Sequence, residues 1–337
     1  GLSGGVDSAV SAALLKKEGY DVVAVFMRCW QEDGNPYCTA LEDEQMARRV
    51  ASFLDIPFYS WNFIDRYKEK VVTYLLDGYR AGLTPNPDMM CNREIKFGLF
   101  FEKAMALGAD YVATGHYARV SPKEILMEGK DKEKDQSYFL SFVPQEAFRK
   151  TLFPIGEYTK PQVRALAKKM GLPNAERKDS QGICFIGKMD ITEFLKAHIK
   201  GKPGNIVDMA GNVLGKHGGV YWYTVGQRHG LEMAGGPYYV VRQNIPLNTL
   251  VVTKDEKDLL QKRAVIQNIN WISGIEERVE ATARIRYRGP KVKAVLQKQK
   301  EGPYSLEFAE PQRAVTPGQF AVLYKGEQVI CAGIIAL

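Results

Sequence analysis

The chain has 337 residues, 45% of them apolar and 25% charged, with a formal charge of +7. That balance excludes a disordered tail, a collagen-like fibre and a disulfide-dense mini-protein, and at about 150 residues per domain it predicts two or three domains. No apolar run reaches the ~18 residues of a membrane span and no signal peptide is visible, so a cytoplasmic location, or the mitochondrial matrix in a eukaryote, is the expectation.

The elements, taken in chain order, alternate through the first half. Asp7–Glu18 reads as a helix with Ala9, Ala12, Ala13 and Lys16 along one face, closed by Gly19. Asp21–Met27 reads as a buried strand, Leu41–Leu54 as a helix, Pro57–Trp61 as a short strand and Tyr67–Arg80 as a helix. The polar break Thr84–Asp88 precedes a helix from Arg93 to Leu107, and Tyr111–Thr114 is the next strand. This spacing predicts an α/β fold, a doubly wound parallel sheet with its active site at the C-terminal edge of the strands. The stretch between His116 and Lys134 is too mixed in character to assign. Thr159–Met170 is a helix with Thr159 as N-cap and Pro161 in its first turn. Ile191–Ile199 is another, leading into the linker Gly201–Gly204.

Beyond residue 200 the texture changes. Short alternating segments separated by Gly, Asn and Pro follow: Asn205–Asp208, Asn212–Leu214, Val220–Val225, Tyr238–Arg242, Val265–Ile272, Glu280–Arg288, Val292–Leu296, Tyr304–Phe308 and Phe320–Leu323. They predict a small β-rich central domain over 201–262 and a C-terminal β-barrel of five or six strands over 263–337, after a catalytic domain over 1–200. Residues 1–190 hold 26 basic and 26 acidic side chains, so the whole +7 lies in the last 147 residues. A surface that meets a polyanion is one reading of that asymmetry, and a basic surface with no partner is the other.

Five cysteines occur, at 29, 38, 91, 184 and 331, with no CxxC pair and only four histidines, so a zinc site is not expected. Buried apolar packing is the default for each, and the run Val329–Ile335 suits Cys331 to it. The strongest local signal is Ser3-Gly4-Gly5-Val6-Asp7-Ser8 running into a helix. Glycines expose backbone N–H groups there and the helix N-terminus adds positive potential, which makes an anion cradle for phosphate. It lacks the Lys-Ser/Thr ending of a Walker loop and is not G-x-G-x-x-G. In Asn86-Pro87-Asp88-Met89-Met90-Cys91 a cysteine lies near a helix N-terminus, where its thiolate is favoured. Asp88 there either presents its carboxylate beside the thiol or simply caps the helix. Asp179–Gly187 sets Cys184 in a Gly-rich segment too polar for a core, and two such thiols point to transfer or resolution of sulfur. His116 is either a hydrogen-bonded structural histidine or a site residue past a strand end. Along Val279–Arg288, alternation places Arg284, Arg286 and Arg288 on one face, able to track an RNA backbone, with Tyr287 on the other.

SGGVDS is similar to the pyrophosphate loop of the ATP pyrophosphatases. Together with Tyr37–Ala40, Thr84–Phe97, Ala113–Arg119, Lys134–Leu140, Gly182–Gly187, Gly226–Arg228 and Thr316–Gln319, it makes the chain resemble, in order and over nearly its whole length, the tRNA-specific 2-thiouridylases. That resemblance implies ATP-dependent 2-thiolation of the wobble uridine of tRNA, in the family those for Lys, Glu and Gln, with release of AMP and pyrophosphate. It implies that Gly1, Leu2, Ser3, Gly4, Gly5, Val6, Asp7, Ser8, Met27 and Gly115 bind ATP, with Mg²⁺ sharing the phosphate charge. Asn86, Pro87 and Asp88 would line the pocket of the target base, with Asp88 as general acid/base. Cys184 would carry sulfur from a donor protein as a persulfide. Cys91 would attack it, freeing sulfide or forming a transient Cys91–Cys184 disulfide as sulfur is transferred. Contacts to the anticodon stem-loop fall to His116, Lys134, Asp135, Gln136, Arg286, Tyr287 and Gln319. A monomer with no membrane attachment is expected. Two other readings use the same loops: an amidating or ligating enzyme, which needs no cysteine pair, and an RNA-binding module without turnover.

Overall fold

The computed structural model describes residues 1–31, 39–178, 190–231 and 233–336. Helix α1 (Val6–Lys17) leads to strand β1 (Ala24–Arg28), and α2 (Ala40–Phe53) to β2 (Phe58–Asn62). Nine of the twelve residues of α1 are buried, five of them alanine or serine, so the helix sits close against neighbours on nearly every side. β1 and β2 pair in parallel from Ala24↔Phe58 to Arg28↔Asn62. Leu2 donates its N–H to the carbonyl of Val25 at 2.8 Å, and the backbone nitrogen of Gly1 bonds that of Ala113 at 2.8 Å. Residues 1–2 thus stand between β1 and β3 (Val112–Ala113).

After β3 comes a hairpin, β4 (Ala118–Val120) and β5 (Leu126–Glu128), in the stretch that the sequence left unassigned; β6 (Thr151–Leu152) then pairs in parallel with β3. The parallel order is β2, β1, residues 1–2, β3, β6. Two helical runs cover this sheet, each with a wide π-helical middle. One comprises Ile64–Tyr67, Lys68–Val72 and Thr73–Arg80, the other Pro87–Met90, Cys91–Leu99 and Phe100–Ala106. The second begins at Pro87, six residues before the expected Arg93. Asn86 accepts the Met89 N–H on its side-chain oxygen at 3.2 Å and Pro87 supplies the fixed φ of a first helical residue, so Asn86, not Asp88, is the cap. Thr159 opens the helix Lys160–Lys169 with a capping box to Gln162, as its sequence signals.

The central unit is a four-stranded sheet of β7 (Gly204–Val207), β8 (Val213–His217), β9 (Tyr239–Asn244) and β10 (Thr249–Thr253), in the order β8-β7-β10-β9. The expected strand Val220–Val225 is absent; Val220–Trp222 forms a single 3₁₀ turn instead. The Trp222 indole lies over Gly219, where a Cβ would stand 3.1 Å from the ring, so the chain turns to seat the ring rather than extending. The last unit is a closed barrel of β11 (Leu260–Trp271), β12 (Arg278–Arg284), β13 (Val292–Lys298), β14 (Tyr304–Arg313), β15 (Phe320–Lys325) and β16 (Gln328–Ile335), with β11 pairing both β14 and β16. Six strands meet the expected five or six. β12 ends at Arg284, and the Gly289 N–H closes a turn onto the Arg286 carbonyl at 3.0 Å with Arg288 at φ +60°. Arg284, Arg286 and Arg288 therefore do not share one strand face, which corrects the alternation reading.

The hairpin β4–β5 belongs by sequence to the first unit and by hydrogen bonding to the barrel. Met127 pairs with Gln328, and the Glu128 N–H donates to the Glu327 carbonyl at 2.9 Å. Beneath it lies an ionic cluster around two buried carboxylates: the Glu128 carboxylate is 2.7 Å from Lys291 and 3.2 Å from Lys132, and Arg284 is 3.4 Å from Asp135. Among the described residues no helix is long and apolar enough to cross a membrane.

Candidate active site

The phosphate-loop candidate is built by backbone, not side chains. Gly4 takes φ +79°, where a Cβ would run into the Asp43 carbonyl, and Gly5 is the N-cap of α1 without any side-chain cap. The first-turn N–H groups of α1 thus open toward the loop with the positive end of the helix dipole behind them. Ser3 and Ser8 tie the turn together: Ser8 Oγ accepts the Ser3 N–H at 3.2 Å and donates to the Gly5 carbonyl at 3.1 Å. Leu2, Val6 and Met27 are buried beneath it. Gly115 closes the other wall, since a Cβ there would stand 2.6 Å from the Ser8 nitrogen and 2.8 Å from the Asp7 carbonyl carbon.

Four residues that sequence reasoning passed over as site residues brace this loop. Lys160, 8% exposed, sets its ammonium 2.8 and 2.9 Å from the two Asp7 carboxylate oxygens, and the Tyr117 hydroxyl donates to Asp7 at 2.8 Å. Asn174 and Arg177 both donate to the Gly4 carbonyl, at 2.9 and 3.1 Å, and Arg177 also pairs with Asp43. A capped helix start at Thr159 was the one sequence signal that pointed at Lys160.

Residues 86–91 form the second wall. Pro85 is buried against Gly78, Asp88 is half-buried in the first turn of its helix, and Cys91 is 0% exposed in a core cluster with Met27 and Phe100. His116 joins the two walls. Its Nδ1 lies 2.7 Å from Thr114 Oγ1 and its Nε2 lies 3.4 Å from the Lys96 ammonium, on the helical run that carries Cys91. An ammonium only donates, so Nε2 accepts and the proton sits on Nδ1. Burial, and then the Lys96 charge, hold His116 well below the usual imidazole range, and the ring is neutral.

The remaining candidates scatter over the unit boundaries. Asp135 is buried, accepting from the N–H groups of Gly129 and Ser137 and from Arg284, and burial pushes its carboxyl up. Gln136 accepts the Tyr117 N–H at 3.0 Å, and Lys134 is half-buried beside it. Arg286 is exposed and donates to the Arg313 carbonyl. Tyr287 packs on Phe139 with ring centroids 4.3 Å apart and the rings tilted by 44°. The Gln319 amide donates to the Thr84 carbonyl at 2.8 Å. Cys184, with Asp179–Gly187, and Cys38 lie outside the described residues. Cys29 and Cys331 are buried, and burial pushes the Cys331 thiol up, as packing cysteines require. Among the described residues no group of three or more His, Cys, Asp or Glu side chains is placed to hold a metal.

The arrangement sets an anion cradle beside a helical run that carries a half-buried carboxylate and a buried thiol, with a neutral histidine between them. Comparison with known proteins places it in a family. Residues 1–188 match the model described as tRNA methyl transferase HUP domain, residues 192–254 the tRNA methyl transferase PRC-barrel domain, and residues 261–335 the aminomethyltransferase beta-barrel domain. The chain is 47% identical over 340 residues to the tRNA-specific 2-thiouridylase MnmA of Bacillus cytotoxicus, covering 98% of this chain and 92% of that protein. It matches the proteins of the same name from Bacillus cereus and Bacillus anthracis at the same identity and coverage.

Proposed function

Since the chain belongs to the tRNA-specific 2-thiouridylase family, we propose that it replaces the C2 oxygen of the wobble uridine of tRNA by sulfur, using ATP. The carbonyl oxygen of a pyrimidine is a poor leaving group and AMP is a good one, so the enzyme first joins the C2 oxygen to the α-phosphate and releases pyrophosphate. The uncapped N-terminus of α1 and the Gly4–Gly5 turn hold the phosphates. A Mg²⁺ ion travelling with the nucleotide would need as few as one protein carboxylate besides phosphate oxygens, and Asp7 is the carboxylate at the loop, which would hold the ion by giving up an oxygen now paired with Lys160. That one-carboxylate requirement fits a site without a protein cage.

Sulfur arrives on Cys184 as a persulfide from a donor protein. The Cys91 thiolate attacks the inner sulfur of that persulfide, giving a Cys91–Cys184 disulfide and sulfide; sulfide displaces AMP from C2, and a thiol reductant restores both cysteines. In the alternative order the outer sulfur attacks C2 first and Cys91 releases it, with the same disulfide as product. Asp88 exchanges the proton at the base edge. The anticodon stem-loop presents the base, turned out of its stack, between the Asp88 wall and the α1 loop. His116, Lys134, Asp135, Gln136, Arg286 and Tyr287 frame that approach. Two of the matching family models carry methyl transfer in their descriptions; a glycine cradle for phosphate and a thiol wall favour thiolation, which is what the relatives' names state.

The observation that carries this reading is the junction at 115–116: Gly115 lies against Ser8 of the phosphate loop, and His116 lies 3.4 Å from Lys96 on the helical run of Asp88 and Cys91. It supports a reaction space shared by nucleotide and thiol. The test is nucleoside mass spectrometry of tRNA after incubation with ATP and a persulfide donor. The wild type yields 2-thiouridine and AMP. Cys91→Ser and Cys184→Ser each lose thiolation by at least about 100-fold while still releasing pyrophosphate in the presence of tRNA. Thiolation at the normal rate in both variants removes the thiol mechanism. AMP without 2-thiouridine, given an amine, moves the chain to the ligating reading.

A further inference from the structure

The segment that carries Asp88 and Cys91 is held from outside its own domain. Thr84 has three hydrogen-bonding groups, and all three are engaged by the two β-rich units. Its N–H donates to the Pro317 carbonyl at 2.8 Å, its carbonyl accepts the Gln319 side-chain amide at 2.8 Å, and its hydroxyl donates to Thr224 Oγ1 at 3.3 Å. Each anchor is itself fixed. Gly318 and Gln319 exchange backbone bonds with Ile335 at 2.8 Å each, which locks the turn 316–319 to β16. Gly318 takes φ +88°, and a Cβ there would stand 2.8 Å from the Thr84 nitrogen, so backbone meets backbone at this point. Thr224 donates its N–H to Gln227 Oε1 at 3.0 Å, and the neighbouring Gly226, at φ +83°, bonds Val240 of β9 at 2.7 Å.

The chain between Thr84 and Asp88 is Pro85-Asn86-Pro87, with φ fixed at both prolines and Pro85 wedged on Gly78. A displacement of Thr84 therefore passes to Asp88 and Cys91 instead of being absorbed in the loop.

We infer that Thr84 is the point through which the barrel and the central unit together set the position of the Asp88–Cys91 wall, with Gln319 and Thr224 as positioning residues for it. The inference rests on the proposed thiolation only where activity is read. RNA seated on either β-rich unit acts on the catalytic wall through this point.

The experiment uses the full chain with Gln319→Leu, Gln319→Glu and Thr224→Val. The first two remove the amide donor, one without and one with a polar tip, and the third removes the central unit's hydroxyl at a residue outside the RNA candidates. Two readouts are taken: amide hydrogen exchange over residues 83–92, and single-turnover thiolation at saturating tRNA and ATP. Each variant is expected to exchange about three- to tenfold faster over 83–92, from loss of one hydrogen bond, and to thiolate on the order of tenfold more slowly. ATP KM and tRNA Kd stay within about twofold, and Gln319→Glu does not rescue. The inference is overturned if exchange over 83–92 is unchanged, or if Gln319→Leu weakens tRNA binding while the saturated rate is kept, which makes Gln319 an RNA contact alone. A variant that fails to fold is replaced by Thr84→Val, which loses only the hydroxyl. Faster exchange in a chain whose wild type makes no 2-thiouridine upholds the anchor and sinks the proposed reaction instead.

Discussion

Gly115→Ala puts the phosphate-loop geometry to a quantitative test. The added methyl would lie 2.6 Å from the Ser8 nitrogen, 2.8 Å from the Asp7 carbonyl carbon and 2.9 Å from Ser8 Cα. All three atoms are backbone, so no rotamer change relieves the overlap. Ordinary contact begins at 3.4 Å, so the segment after β3 must withdraw from α1 by about 0.8 Å, taken as 3.4 less 2.6. Overpacking of this kind costs about 1–3 kcal/mol, and a shift near 1 Å in a reacting group costs on the order of 100-fold in rate. At about 2–4 °C per kcal/mol for a unit of this size, Tm falls by roughly 2–12 °C. Gly5→Ala is the contrast. Only Ser3 Oγ, at 3.4 Å, lies within 4 Å of a Cβ there, and φ is −76°, so the fold accepts the methyl while the nucleotide meets it in the cradle. Pyrophosphate release in the presence of tRNA, followed against ATP concentration alongside thermal melting, separates the two. Gly5→Ala is expected to melt with the wild type and raise ATP KM at least about tenfold; Gly115→Ala is expected to lose both stability and rate. Wild-type kinetics in both variants would refute the placement of the phosphates between α1 and residue 115.

Two further substitutions probe the surroundings of that site. His116 is buried and neutral with its pKa held well below 6.5, so the unfolded chain binds a proton that the folded chain refuses. Its contribution to stability is full above pH 6.5 and falls by about 1.4 kcal/mol per pH unit as pH drops from there toward the depressed folded value; His116→Gln flattens that slope in denaturant titrations between pH 6.5 and 5, and an unchanged slope contradicts the buried neutral ring. Arg284→Met leaves Asp135, 2% exposed, without its cation, and removal of one partner from a buried pair costs about 3–5 kcal/mol. A lowered Tm, with Arg284→Lys melting between the two, is expected by calorimetry.

What could be read from the sequence was what local chemistry decides. Glycine at +79°, a helix start without a capping side chain and a closing Gly19 are properties of a few adjacent residues, and they announced the α1 loop. Alternation announced the barrel strands, because each buries one face. The hairpin at 118–128 escaped for the opposite reason. Its flanking Glu128, Asp131 and Asp135 look like a solvated run, yet they are buried against partners such as Lys291 and Arg284, about 150 residues away in the chain. Lys160 escaped in the same way, since its partner Asp7 lies 153 residues before it. Arg286 and Arg288 misled because alternation presumes that a strand continues, and the turn at Gly289 ends it. At Gln319 residue type reads as an RNA contact, while the fold gives its amide to a backbone carbonyl of another unit.

The shared hairpin also sets a timetable for synthesis. Met127 leaves the ribosome 201 residues before Gln328, its pairing partner. At about 5–20 residues per second that interval is roughly 10–40 s. Throughout it, the nascent first unit carries the carboxylates of Glu128 and Asp135, whose partners Lys291 and Arg284 are still to be translated. Completion of the catalytic unit therefore waits for β16 to be translated, and a chain truncated before that strand is a ready client for chaperones and proteases, not a smaller enzyme.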